Sequence, residues 1–134
     1  MANALYAKGK EKILAAAINF VDDTIKVALV KNTYPQDLTN DEFFSAIATY
    51  VVGTPQTLAS KTITNGVFDA ADVTYTTVPA GSTLEGVVIY KDTGVAGTSA
   101  LLAYIDNIAG FPLATNGGDI TIQWDNGAYK IFSL

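Results

Sequence analysis

The stretch "LEGVVIYKDTGVAGTSALLAYID", residues 84–106, holds two unbroken apolar runs, 86–90 and 100–105, on either side of a loop made of small, polar and charged residues. A strand with one face in water alternates apolar and polar residues, because successive side chains point to opposite faces of the sheet. A run without alternation predicts a strand buried on both faces, either central in its sheet or covered by a helix or another subunit. Two such runs predict a β-rich core and give a first hint of assembly.

The joining loop contains Asp92, Thr93 and Gly94, the tripeptide that carries the catalytic aspartate of aspartic proteases. In such an enzyme two carboxylates share one proton beside each other. Here Lys91 stands immediately before Asp92, where a site of that kind has apolar residues. The stretch reads as a turn between strands, and no catalytic residue is expected in this chain.

The flanking sequence extends the same pattern. "DITIQW", residues 119–124, alternates, with Ile120, Ile122 and Trp124 on one face and Thr121 and Gln123 on the other. It is followed by Asp125-Asn126-Gly127 and then 128–132, the strongest hairpin signal in the chain. On the other side, residues 57–64, 66–69 and 73–78 are short β-prone runs separated by Gly, Asn and Asp, as in antiparallel sandwiches and barrels. Further upstream, Ile25, Val27 and Leu29 alternate with Thr24, Lys26 and Ala28, which predicts a strand with a single buried face.

Two short helices are expected in the N-terminal third. The first covers about residues 5–15, with Leu5, Ile13 and Leu14 sharing a face and Gly9 weakening it. The second covers 40–48, with Thr39 or Asn40 as cap and Asp41 and Glu42 favouring the helix dipole. The expected fold is therefore mainly β: a single domain over residues 1–134, an antiparallel β-sandwich, jelly-roll-like, with these helices attached.

Composition narrows the function. The chain has 134 residues, no His and no Cys, so the commonest general base, the thiol nucleophile and most transition-metal ligands are missing. No disulfide framework is possible. A net charge of −5 argues against nucleic-acid binding, which needs clustered Lys and Arg. No stretch approaches the roughly 18 apolar residues of a membrane span. Lys8, Lys10 and Lys12 precede an apolar run, but Glu11, Asn19 and Asp22 interrupt or bound it, unlike a secretory signal.

Other sites read as structure. Asp22-Asp23 and the pair Asp69 and Asp72 lack the spacing of a calcium loop, and no metal or cofactor is expected. Trp124 and the seven tyrosines suggest a sugar-binding platform at most as an alternative, since aromatics at alternating strand positions usually form core or interface.

Several stretches carry a resemblance: "MANALYAKGKEKIL" (1–14), "DTIKVALV" (23–30), residues 51–83, "YKDTG" (90–94), residues 101–127 and "KIFSL" (130–134). Residues 61–72 and 116–132 are the most distinctive. Together they resemble a family of small virion structural proteins of tailed bacteriophages. The resemblance implies a non-enzymatic part of a phage particle, made in the host cytoplasm; the preferred position is the outer head surface, as a decoration or cement protein bound to the major capsid protein. A tail, neck or fibre component, or a carbohydrate-binding surface adhesin, is the alternative. The expected partners are the capsid protein and the chain itself, as a homodimer or homotrimer. Within residues 2–12, Tyr6 is expected to act as an apolar anchor and Lys8, Lys10 and Lys12 to steer attachment to an acidic capsid surface. The competing reading is a helix that closes one end of the sandwich.

Overall fold

The computed structural model describes residues 4–106, 108, 110–124, 127 and 130–133. Its elements are β1 (Ala4–Leu5), α1 (Ala7–Leu14), β2 (Ile25–Lys31), β3 (Val51–Thr57), β4 (Thr62–Thr64), β5 (Val67–Asp69), β6 (Val73–Tyr75), β7 (Thr83–Lys91), β8 (Leu101–Ile105), β9 (Leu113–Ala114), β10 (Ile120–Ile122) and β11 (Phe132–Ser133). The protein is mainly β with antiparallel pairing, and it is sandwich-like.

The largest sheet has the order β1-β8-β7-β2-β3, with β9 continuing beside β7. The two apolar runs are β7 and β8, and they lie side by side inside this sheet. β6 and β10 form a second sheet, and β4, β5 and β11 a third. Among the described residues six strands form one sheet and five are divided between two others, a sandwich-like arrangement without the paired four-stranded sheets of a jelly roll.

The faces of the large sheet follow from its pleat and from its irregularities. On β2, Ile25, Val27 and Leu29 point into one core and Ala28 and Val30 into another. The alternation on β2 was expected to bury one face only, yet Ala28 has no exposed surface. Its face is covered by residues 34–50, through Tyr34, Ile47 and the partly buried Leu38, Phe44 and Tyr50. Backbone bonds tie this cover down: Leu101 N–H to the Glu42 carbonyl (2.9 Å) and Phe44 N–H to that of Ser99 (2.8 Å).

On β8 one extra residue changes the face of the chain. Ile89 pairs with Ala103 and Tyr90 with Leu101, leaving Leu102 as a bulge. Leu101 therefore enters the second core while Leu102 and Ala103 both enter the first. Helix α1 packs on this bulge through Gly9, where an added Cβ would lie 2.6 Å from the Leu101 carbonyl oxygen. The glycine that weakens the helix in sequence terms is what lets the helix approach the sheet.

Both predicted helices are shorter than expected. The first begins only at Ala7, because Ala4 and Leu5 pair with Tyr104 and Ala103 as an edge strand. Leu14, placed by sequence on its apolar face, is 88% exposed. The second is two 3-10 turns, Phe44–Ala46 and Ala48–Tyr50, neither with a side-chain cap. Asp37 takes the capping role instead, accepting from the backbone N–H groups of Thr39 and Asn40 in a turn.

The first core lies between the large sheet and the two small ones. It includes Phe20, Phe68, Tyr75, Ile120, Ile122, Trp124 and Ile131. The expected alternation of residues 120–124 is observed, with Ile120, Ile122 and Trp124 buried and Thr121 and Gln123 exposed. Asp125 and Asn126 of the expected hairpin turn lie outside the described residues. Of the strands flanking it, β10 pairs with β6 and β11 with β5.

Candidate functional site

The loop after β7 is built around Asp92. One carboxylate oxygen accepts from the Gly94 N–H (3.1 Å), closing a turn that Gly94 completes at φ +85°. The other lies 3.2 Å from the Lys26 ammonium. The Gly94 N–H and Lys26 together hold the carboxyl below the usual carboxylate range, against the opposing effect of partial burial. The Thr93 hydroxyl is bonded to Thr98 (2.6 Å) and Ser99 (3.2 Å). An aspartate kept anionic in this way is suited to holding a turn and poorly suited to sharing or donating a proton.

The other acidic pairs are held similarly. Asn19 caps a turn over residues 19–23, accepting from Val21 and Asp22 N–H and donating to the Asp22 carboxylate. Asp23 accepts from the Asn19 N–H and pairs with Lys91 at 3.2 Å, and these contacts lower its pKa. Asp72 accepts the Trp124 backbone N–H at 3.0 Å. Among the described residues no group of three or more His, Cys, Asp and Glu is arranged to hold a metal ion.

Trp124 is 5% exposed and donates its indole N–H to the Ala71 carbonyl at 3.1 Å. A sugar platform needs an open ring face, so Trp124 does not supply one. Tyr6, Tyr34, Tyr75, Tyr90 and Tyr104 are also buried.

The N-terminal segment is the remaining candidate from sequence. Tyr6 is fully buried, its N–H bonded to the Leu102 carbonyl and its hydroxyl 2.7 Å from that of Tyr34. It packs inward and offers no ring to a partner, because β1 and α1 carry it across the end of the large sheet into the second core. The lysines are brought together only in part. Lys8 lies 3.4 Å from Glu11, and Lys12 lies 2.6 Å from Glu42 and 4.9 Å over the Phe43 ring. Lys10 is exposed and, two residues from each of the others, occupies another face of the helix.

Sequence reasoning missed the polar chain in the second core. Tyr34 donates to Asp41 at 2.7 Å, and Tyr6 bonds Tyr34, so three groups from separate segments form one line. Burial raises the pKa of Tyr6, Tyr34 and Tyr104, and pushes that of Tyr90 up to about 12. These tyrosines are protonated donors through the physiological range.

Models of known protein families were compared with the chain and none matches; no curated protein matches it either. No helix among the described residues is long and apolar enough to cross a membrane.

Proposed function

We propose that the chain is a non-enzymatic structural protein of a tailed-bacteriophage virion, a decoration protein that binds the outer head surface and the major capsid protein. The observation that carries this reading is the sequence resemblance distributed over residues 1–14, 23–30, 51–83, 90–94, 101–127 and 130–134. Its physical logic needs no reaction. A protein that binds the expanded capsid and not its precursor stabilises the expanded state by mass action.

Two features of the molecule support the reading. A sheet buried on both of its faces within one chain makes a stiff body, suited to bridging subunits under load. Lys10 and the partly exposed Lys8 extend from α1 at one end of that body, where they would steer it towards an acidic surface. In this reading the contact falls to the lysines, with Lys12 already paired to Glu42, and the buried Tyr6 takes no part in it.

The test is to mix the purified protein with expanded and unexpanded heads that lack it and to measure co-sedimentation. The expected result is saturable binding to expanded heads alone, weakened by salt and by joint replacement of Lys8, Lys10 and Lys12 with Glu. Failure to bind either head form, or localisation to the tail by electron microscopy of the particle, overturns the head assignment.

A further inference from the structure

The open edge of the β11-β5-β4 sheet is unused by the functional reading. Its register places Phe132 opposite Phe68 and Phe68 opposite Ile63, so one apolar row crosses three strands on one face. The Phe68 and Phe132 rings lie 5.4 Å apart and both pack on Phe20, at 5.0 and 5.4 Å. The row is covered at Phe68, 3% exposed, and ends on Ile63, 53% exposed at the edge.

The backbone points the same way. Asn65 and Gly66 have φ of 51° and 76°, the two positive values of a two-residue type I′ turn. The residues flanking such a turn, Thr64 and Val67, exchange both of their backbone hydrogen bonds. Because bonding alternates along an antiparallel pair, the N–H and C=O of Ile63 then face away from β5, into the edge. Proteins blunt exposed edges with charge, proline or bulges. β3, at the edge of the large sheet, carries Pro55 and Gly53 at φ +73°. β4 is Thr-Ile-Thr, all β-branched and all exposed, with none of these devices.

We propose that β4 pairs with β4 of a second copy of this chain, antiparallel and centred on Ile63. Thr62-Ile63-Thr64 reads identically in both directions, so a twofold axis sets Ile63 opposite Ile63 and each Thr62 opposite the second copy's Thr64. Lys61 then faces Asn65, and no like charges stand directly opposite. The result is a six-stranded sheet spanning two copies, with the phenylalanine row continued through the axis. This pairing does not depend on the virion assignment.

Sedimentation equilibrium of the full chain, from micromolar to millimolar, tests it. The wild type should dimerise, and Ile63→Lys should weaken the dimer at least about tenfold while leaving the melting temperature of the dilute, monomeric protein unchanged. Since the chain has no Cys, single cysteines report the register. Ile63→Cys sits on the axis, where bonded Cα pairs are about 5.5 Å apart and within disulfide reach, so mild oxidation should give a covalent dimer. Thr64→Cys lies two positions from its twin, roughly 8 Å away, and should stay uncrosslinked. A wild type that remains monomeric at millimolar concentration overturns the proposal. So does a dimer undiminished by Ile63→Lys, or equal crosslinking by the two cysteine variants. Should Ile63→Lys misfold, the cysteine pair decides alone.

Discussion

The two faces of the large sheet are buried by different chemistry. One presents aliphatic side chains, Ile25, Val27, Leu29, Val87 and Ile89, to the two small sheets. The other presents Ala28, Val30, Val88, Tyr90 and Tyr104 to a cover of loop and 3-10 turns, with tyrosine hydroxyls among the packed groups. The aliphatic face depends chiefly on shape and area, its one described buried tyrosine, Tyr75, donating to the Val27 carbonyl. The tyrosine face depends on shape and on satisfying each buried hydroxyl, since an unpaired one costs about 1–3 kcal/mol.

Substitutions that separate the two faces differ in size. Leu29→Ala, at a fully buried position on the aliphatic face, should cost about 3 kcal/mol in urea unfolding, as a cavity that neighbouring strands cannot fill. Gly86→Ala should come next, at about 2 kcal/mol. Its added Cβ would lie 2.7 Å from the Ile105 carbonyl oxygen and 3.0 Å from the Tyr104 hydroxyl, a clash on the tyrosine side.

Tyr34→Phe should cost about 1.5 kcal/mol, because it leaves both the Tyr6 hydroxyl and Asp41 without their shared partner. Tyr6→Phe should cost less, since Tyr34 still donates to Asp41. A Tyr6→Phe variant less stable than Tyr34→Phe in the same assay would contradict the assigned direction of the chain. Asp92→Asn should have the smallest effect, below about 1 kcal/mol, as its pair with Lys26 is partly exposed.

Two sets of buried and half-buried groups, not the two faces, separate by pH. Tyrosines whose folded pKa is raised contribute stability that is present below the unfolded value near 10. That stability is lost as pH rises from there through the folded values, because the unfolded chain ionises first. Asp23 and Asp92, with lowered folded pKa, contribute above the unfolded value near 4 and lose that contribution as pH falls through the folded values. Denaturation across pH should therefore show an alkaline limb that Tyr34→Phe flattens and an acid limb that Asp23→Asn flattens.

What was legible in the sequence follows the same division. The aliphatic face announced itself through local alternation in residues 25–29 and 120–124, and unbroken apolar character marked β7 and β8 as doubly buried. That burial is satisfied within the chain, so β7 and β8 no longer argue for assembly. β3 was not among the expected strands, since Gly53 and Pro55 break its apolar pattern. β1 was hidden inside a helical pattern that begins only after Tyr6. The tyrosine face was illegible because it joins residues 6, 34 and 41 to the sheet, and no local period records a contact between Tyr6 and Tyr34. The Asp92 loop could be read as a turn from its residue types alone, whereas Tyr6 among lysines read as surface.

The pairing of β1 with β8 sets an order of events for a chain made from one end to the other. Ala4 pairs with Tyr104, and the Tyr6 N–H with the Leu102 carbonyl, across about three quarters of the 134-residue chain. On a ribosome, residues 4–14 emerge long before the strand that receives them, and Tyr6 has no pocket to enter until β8 is out. Such distant closures are late and slow, because a large loop must be ordered before the contact rewards it. The seam between β1 and β8 is thus a late latch, and until it closes the nascent chain exposes the Leu101–Leu102 bulge on which Gly9 later rests.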